Sequence, residues 1–269
     1  MSSLLKSGLG VLLFASSLAQ AQSIIDFRVE SGRSTSIQPV FIKPGMVFVK
    51  SAGGDGNLDI LYEKPDEKLV WIDHKKQIFT VVTDEKVVRI ARQAEDIQPL
   101  LRGIAEQMQK LSPKQRAKWE NMLGGISLDR FTAAKQAAES TQLMKTGVSK
   151  TVAGIRCEEM SVIKKGAPTV AFCLAEPEAL KLPADDAETL RSLIGFTQRL
   201  AARAENLSSQ FGIELPMGSF SSLAGIPVEM RDFGGKHPVA LTLSGVSDQG
   251  FPDSLQVPAG YRPRELSLW

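Results

Sequence analysis

Two cysteines, two histidines, one acidic loop and a small cluster of serines are the residues of this chain whose types and spacing could carry chemistry. Cys157 and Cys173 lie in two segments of alternating apolar residues between Val152 and Ala175, joined by a turn at Lys164-Lys165-Gly166. Pairing the segments about Lys165 sets Cys157 opposite Cys173, with Met160, Val162, Val170, Phe172 and Leu174 sharing the other face. Directly opposed antiparallel residues have Cα atoms about 4.5 to 5.5 Å apart, which a disulfide tolerates without backbone distortion. The separation is unlike the Cys-x-x-Cys of thiol-disulfide enzymes, so the expected bond is a structural staple rather than a redox centre. A loop of that length stabilises by about 3 kcal/mol on closure-entropy reasoning.

The remaining candidates point to structure. His74 and His237 each lie in a turn beside lysine, and with the cysteines assigned to a disulfide, no metal-ligand spacing is left. Asp55-Gly56-Asn57-Leu58-Asp59 matches the first half of a calcium loop, but Ile60 stands where that loop needs glycine and Asp66 where it needs a bidentate glutamate. A hairpin turn is the economical reading. Ser219, Ser221 and Ser222 have no Gly-x-Ser-x-Gly elbow around them, so no catalytic residue and no cofactor is expected.

A disulfide requires an oxidising compartment, and the N-terminus supplies the route to one. Lys6 precedes an apolar run from Leu9 to Leu18, and Ala19-Gln20-Ala21 is a small-x-small cleavage site ahead of Gln22. Residues 1–21 are therefore expected to be a signal peptide and residues 22–269 a single exported domain, periplasmic in a Gram-negative source and without lipid anchor, since no cysteine follows the cleavage site. Against 32 basic side chains stand 30 acidic ones, with no run of five like charges, which argues against nucleic acid as a partner. The hydrophobic share of 43% suffices for a sizeable core, and beyond the leader no apolar stretch approaches the roughly 18 residues of a membrane span.

The elements that must position these residues follow from periodicity. From Gln38 to Val82 short strands alternate, at Leu58, Ile60 and Tyr62 and again at Ile78, Thr80 and Val82, with turns where the alternation breaks. The period then changes to 3.6: Ile97, Leu100, Leu101, Ile104, Ala105, Met108 and Leu111 form one stripe. Ser112, Pro113 and Gln115 restart a helix with a capping box, carrying Trp119, Met122 and Leu123 to Gly124-Gly125. After Pro183, with Asp185 and Glu188 as a cap pair, a second stripe comprises Leu190, Leu193, Ile194, Thr197, Leu200, Ala201, Ala204, Leu207 and Phe211. Ile226, Val228 and Met230, then Val239, Leu241 and Leu243, flank a turn at Gly234-Gly235, and Leu255 and Val257 suggest a last strand. One curved antiparallel sheet built from both halves of the chain and covered by the inserted helices leaves no apolar face bare.

Taken in order, Val152-Ala153-Gly154-Ile155-Arg156-Cys157 with Phe172-Cys173-Leu174-Ala175, the earlier Leu69-Val70-Trp71-Ile72-Asp73, and Val257-Pro258-Ala259-Gly260-Tyr261 resemble a family of exported bacterial proteins of unknown function. That family is similar in plan to the periplasmic lipoprotein-carrier superfamily, and the likeness spans residues 25–262. The resemblance implies an α+β fold, an open antiparallel β half-barrel with helices in its concave face, and an apolar cavity; it implies no catalytic residues. The function expected is non-enzymatic binding of a lipid, acyl chain or lipoprotein segment, with Ile97, Leu101, Ile104, Met108, Leu193, Leu200 and Leu207 as candidate lining residues. Flexible thioethers at Met108 and Met122 would suit variable apolar ligands. The alternative is an envelope assembly module acting on a protein partner through an outer strand or surface, and a hydrolase stands behind both.

Overall fold

The computed structural model describes residues 22–32, 34–52, 56–109, 111–112, 114–115, 118, 142–164, 166–210, 225–233 and 239–267. In chain order these form β1 (Ser23–Ser31), β2 (Ser34–Lys43), β3 (Met46–Val49), β4 (Leu58–Glu63), β5 (Lys68–Asp73), β6 (Ile78–Thr83), α1 (Asp84–Gln109), β7 (Gln142–Val152), β8 (Ile155–Lys164) and β9 (Ala167–Ala175). A 3-10 turn (Pro177–Leu180), α2 (Ala184–Gln210), β10 (Ile226–Asp232), β11 (Val239–Ser247) and β12 (Arg262–Arg264) complete them. The strands make one open sheet in the order β12-β6-β5-β4-β3-β2-β1-β11-β10-β9-β8-β7. Pairings are antiparallel except β12 on β6. The joint between the halves is β1 with β11, Ile25 opposite Val246 and Phe27 opposite Leu243. The fold is thus the α+β open half-barrel expected.

Alternation assigns the two sheet faces. On the face that carries α2, Ile25, Ile42, Val47, Tyr62, Leu69 and Val82 join Leu190 and Phe196 in one buried cluster, which extends to Cys157, Cys173 and Val228. On the reverse face Ile24, Phe41, Phe48, Leu61, Val70 and Ile72 are closed off by Leu255, with Phe251 edge-on to Phe41. Leu255 and Val257 therefore belong to a loop that plugs this face rather than to a strand; the last strand is β12, displaced to Arg262–Arg264. At the other end of the sheet, β7 comes back within 8 Å of β11, Cα to Cα. This curl buries Val162, Val170, Phe172 and Leu174 against Leu143, Met160 and Met230.

Three features differ from periodicity alone. The run beginning at Val152 is a hairpin, not the start of a strand: Val152 pairs with Ile155 across Ala153-Gly154, both at positive φ (47° and 80°), the signature of a two-residue I′ turn. The β8–β9 register is displaced by two residues from the expected one. Its turn closes at Lys164 opposite Ala167, and a bulge adds Thr169 to β9, so Glu159 rather than Cys157 faces Cys173. The Thr169 hydroxyl donates to the Val162 carbonyl at 3.1 Å beside that bulge. A shift by two preserves facing, so the apolar assignment to each face holds. Finally, α1 begins at Asp84, well before the Ile97 stripe, and contains Pro99. Ser112 N and Oγ both donate to Gln115 Oε1, so the expected capping box is half formed by its glutamine arm. Trp119, Met122, Leu123, Gly124-Gly125 and Gly234-Gly235 lie outside the described residues.

Candidate functional site

The seat of α2 decides whether its stripe is a lid or a core. The helix crosses the row Ser23, Ile42, Val47, Tyr62, Leu69 and Val82, one residue from each of six neighbouring strands. Phe196 is fully buried with its ring centroid 5.6 Å from that of Tyr62, and the Tyr62 hydroxyl lies 2.7 Å from Ser192 Oγ. The Gly45 amide donates to Thr189 Oγ1 at 2.9 Å, Lys64 pairs with Glu188 at 2.6 Å, and Arg199 reaches Glu67 at 2.9 Å. Glu188 thus bonds across to the β4–β5 turn instead of back to Asp185 as a helix cap. These contacts along the helix describe a docked element, not a mobile cover.

The candidate ligand residues divide accordingly. Leu193 and Leu200 are half-buried and pack against the cluster beneath α2. The side chains of Ile97, Leu101, Ile104, Met108 and Leu207 lie outside those described. Periodicity missed Phe196, which is fully buried, and included Thr197, which is exposed. Aromatic pairing with Tyr62 rotates the buried stripe toward position 196, a tertiary cause that no helical repeat contains.

Two residues along the strands, about 7 Å from the row beneath α2, a second row runs Val246, Ile25, Val40, Val49, Ile60, Trp71, Thr80 and Arg264. Ile25 and Val40 are buried, but Trp71 is 42% exposed and Val246 is 38% exposed. Val49 and Ile60 are half-buried and touch the core cluster. The result is an apolar ledge on the helix side of the sheet, bordered at the β12 edge by Arg264 and by Arg262, which pairs with Ile78. An indole on such a ledge offers a large flat apolar contact with a polar tip, and the guanidinium groups offer bidentate donors to an anion.

The reverse face holds a groove of about 430 Å³ lined by Phe41, Phe48, Lys50, Asp59, His74 and Leu255, among others. Here His74 Nε2 lies 2.7 Å from Asp59 Oδ2 and Nδ1 lies 2.8 Å from the Tyr261 hydroxyl. Asp59 is buried and its Oδ1 accepts from the Ser51 amide at 2.8 Å. Both imidazole nitrogens are therefore engaged, and the arrangement ties the segment before β12 to the β5–β6 turn. Asp59 and His74, considered above as a calcium-loop residue and a metal ligand, come together here as this pin. His237 and the serines at 219, 221 and 222 lie outside the described residues. Among the described residues no group of three or more histidine, cysteine, aspartate or glutamate side chains could hold a metal ion.

Cys157 and Cys173 are joined, with Cα atoms 5.4 Å apart, and both are buried. Since Glu159 faces Cys173, the bond runs diagonally between strands rather than straight across. Beside it a charged cluster is set into the same face. Glu229, buried on β10 and also opposite Cys173, is 2.6 Å from Lys150 and 2.6 Å from Arg231, while Lys150 also reaches Glu159 at 3.2 Å. Burial pushes the Glu229 carboxyl up, but the hydrogen bond and charge of Lys150, aided by Arg231, hold it below the usual carboxylate range.

No family model matches the chain, and no curated sequence matches it. Among solved structures it is similar to PNGF-II, with a TM-score of 0.39 and 6% identity over 92% of this chain and 31% of that one. It is also similar to an uncharacterized conserved protein from Thermus thermophilus, at 0.38 and 6% over 92% of each chain. The Pseudomonas aeruginosa MucA/MucB complex gives 0.31 and 10% over 90% of this chain and 56% of that one. The chain thus spans under a third of PNGF-II and just over half of the matched chain of the MucA/MucB complex.

Proposed function

We propose that the chain is a non-enzymatic, exported envelope protein that holds a single-chain anionic amphiphile, a fatty acid or the acyl part of a lipid or lipoprotein, along the ledge at Val49, Ile60 and Trp71. The observation that carries this reading is Trp71, an exposed indole on the helix side of the sheet beside half-buried aliphatic residues of its own row. Arg264, one strand beyond Thr80 on that row, places a cation where a carboxylate or phosphate head would emerge. The ligand therefore lies beside α2 and not beneath it. Export is supported by the leader pattern before Gln22 and by the buried disulfide, which an oxidising compartment would preserve. No helix of the described residues is long and apolar enough to cross a membrane.

Trp71 is also the reporter. In protein with Trp119 and Trp269 replaced by phenylalanine, oleate added below its micelle concentration should shift Trp71 emission to the blue, saturably and at one equivalent. Arg264→Ala should weaken oleate binding more than binding of the uncharged alcohol of the same chain. Emission that does not respond, or responds without saturation, removes the reading.

A second reading rests on β7, the outermost strand, which presents exposed Met144 and Val148 at an open edge. Such an edge could pair with an extended segment of an envelope protein. The kink at Gly147, φ 76°, where β7 slips register against β8, blunts that edge in the way natural edge strands avoid association. Cross-linking from residue 144 to a single envelope protein, with no lipid bound, would favour this second reading over the first.

A further inference from the structure

Asp186 stands in the first turn of α2 with 0% exposure. Its Oδ2 accepts a hydrogen bond from Ser23 Oγ at 2.6 Å, while its Oδ1 is buried with no partner. Burial pushes this carboxyl up, Ser23 draws it down, and the neighbouring Asp185 adds repulsion. An orphaned carboxylate oxygen in the interior costs the desolvation of that group, so it calls for a donor. The position of its one partner in the chain suggests which. Ser23 is the second residue after the expected cleavage between Ala21 and Gln22, and Gln22 is itself half-buried at the start of β1.

In the uncut chain the nitrogen of Gln22 is an ordinary peptide N–H. Hydrolysis of the Ala21–Gln22 bond adds water, leaving a carboxylate on the leader and an ammonium on Gln22. That ammonium is carried one Cα step, about 3.8 Å, from the residue already bonded to Asp186. It brings a positive charge and three donors to the mouth of a site that holds a carboxylate with one oxygen unused.

We infer that the α-ammonium of Gln22, created by removal of the leader, forms an ion pair with Asp186 Oδ1 and so fastens the start of β1 to the start of α2 only in the processed protein. This rests on the export reading, through the position of the cut. The pair couples the row beneath α2 at its first strand to the helix that covers it, since Ser23 begins that row opposite Ile42. Removal of the leader then tightens the fold at the point where chain and helix meet, and an uncut or wrongly cut chain lacks this contact. The ammonium, once paired, is also withheld from attack on its own glutamine side chain, so the mature terminus should resist cyclisation to pyroglutamate with loss of ammonia.

The test compares two exported forms of the full mature chain, one cut before Gln22 and one bearing Gly-Ser-Gly ahead of it, each with and without Asp186→Asn. Intact mass establishes where the leader was removed, so a cut elsewhere overturns the Ala21–Gln22 cleavage on which the ion pair depends, whereas no cut at all overturns the export reading. With the cut before Gln22, the native terminus should melt about 5 °C or more above the extended form. That difference should vanish in the Asp186→Asn background. The terminus should also remain an uncyclised glutamine after storage. Equal melting of the two wild-type forms, an extension effect that persists in Asp186→Asn, or a terminus found as pyroglutamate would each overturn the ion pair. Should Asp186→Asn fail to fold, the comparison of wild-type termini and the cyclisation measurement still decide it.

Discussion

Lys150 Nζ lies 2.6 Å from the buried carboxylate of Glu229, on the face of the sheet that also carries the disulfide. Three strands, β7, β8 and β10, contribute charges to this cluster, and the bulge between Pro227 and Glu229 makes it feasible. Val228 turns into the apolar cluster while the next residue, Glu229, stands opposite Cys173. A buried ion pair adds little over an apolar substitute, but removing one partner leaves the other charge stranded. Here Arg231, 2.6 Å away, still pairs with Glu229 when Lys150 is gone, so Lys150→Met should cost what one charge-assisted hydrogen bond is worth, about 1.5 to 3 kcal/mol, measured by chemical denaturation at neutral pH.

The same cluster sets an acid limb. Because the folded Glu229 carboxyl sits below its unfolded value, its contribution is fully present above the unfolded glutamate pKa, about 4.3. It is lost as pH falls through that value toward the lowered folded one. Melting temperature should consequently fall less steeply between pH 5 and about 3 in Glu229→Gln than in the wild type. Parallel acid limbs in the two proteins would show that other carboxylates govern that range.

Cys157→Ser should lower stability by about 3 kcal/mol through the reopened loop and leave Cys173 the sole thiol. Since Cys173 is buried, it should react with iodoacetamide only in denaturant. Rapid alkylation of the native variant would mean that β8 and β9 separate once the bond is gone.

Much of this fold was legible because alternation and the 3.6 period report facing, and facing survives small register errors. The β8–β9 hairpin illustrates it: a turn centred one half-step late and a one-residue bulge at Thr169 moved the register by two, yet Val162, Phe172 and Leu174 remained on one side and the cysteines on the other. The disulfide was correct for the same reason: both cysteines stayed on one face, and their diagonal Cα separation here is 5.4 Å, within a disulfide's reach. What could not be read was tertiary. Phe196 gained its burial from Tyr62, and Leu255 from a sheet face whose other residues lie nearly two hundred positions earlier. Strand β1 was legible but overlooked: Ile25, Phe27 and Val29 alternate with Asp26, Arg28 and Glu30 as a half-buried strand should. The candidate site was the least legible part, because a stripe that packs and a stripe that binds have the same period. Trp71, on a strand whose alternation looked ordinary, is 42% exposed, and solvent exposure has no local code.

Phe196→Ala tests the docked-helix account of α2. The residue is fully buried against Tyr62, and its removal should cost about 4 kcal/mol. Leu193→Ala, at a half-buried position, should cost about half that. Oleate affinity, measured on whichever variants remain folded, should be unchanged in Leu193→Ala and reduced tenfold or so in Trp71→Ala, a loss of about 1.4 kcal/mol. The reverse ranking would return the ligand to the space beneath α2.

His74→Ala removes the pin between Asp59 and Tyr261, leaving a buried carboxylate with the Ser51 amide as its remaining hydrogen bond in this network. Unsatisfied groups of this kind cost about 1 to 3 kcal/mol. The loss should be local before it is global, because the Arg262 amide reaches the Gln77 carbonyl at 3.0 Å and β12 is only three residues long. Hydrogen exchange should therefore accelerate first at residues 262–264 and along β6, with the β1–β11 joint unaffected. Tyr261→Phe, which keeps the ring against His74 but loses the hydroxyl, should give a smaller change in the same segment. Since Arg264 leaves the ledge when β12 detaches, His74→Ala should also weaken oleate binding from a face of the sheet the ligand never touches. Unaltered binding with a released β12 would remove Arg264 from the ligand site while leaving Trp71 in it.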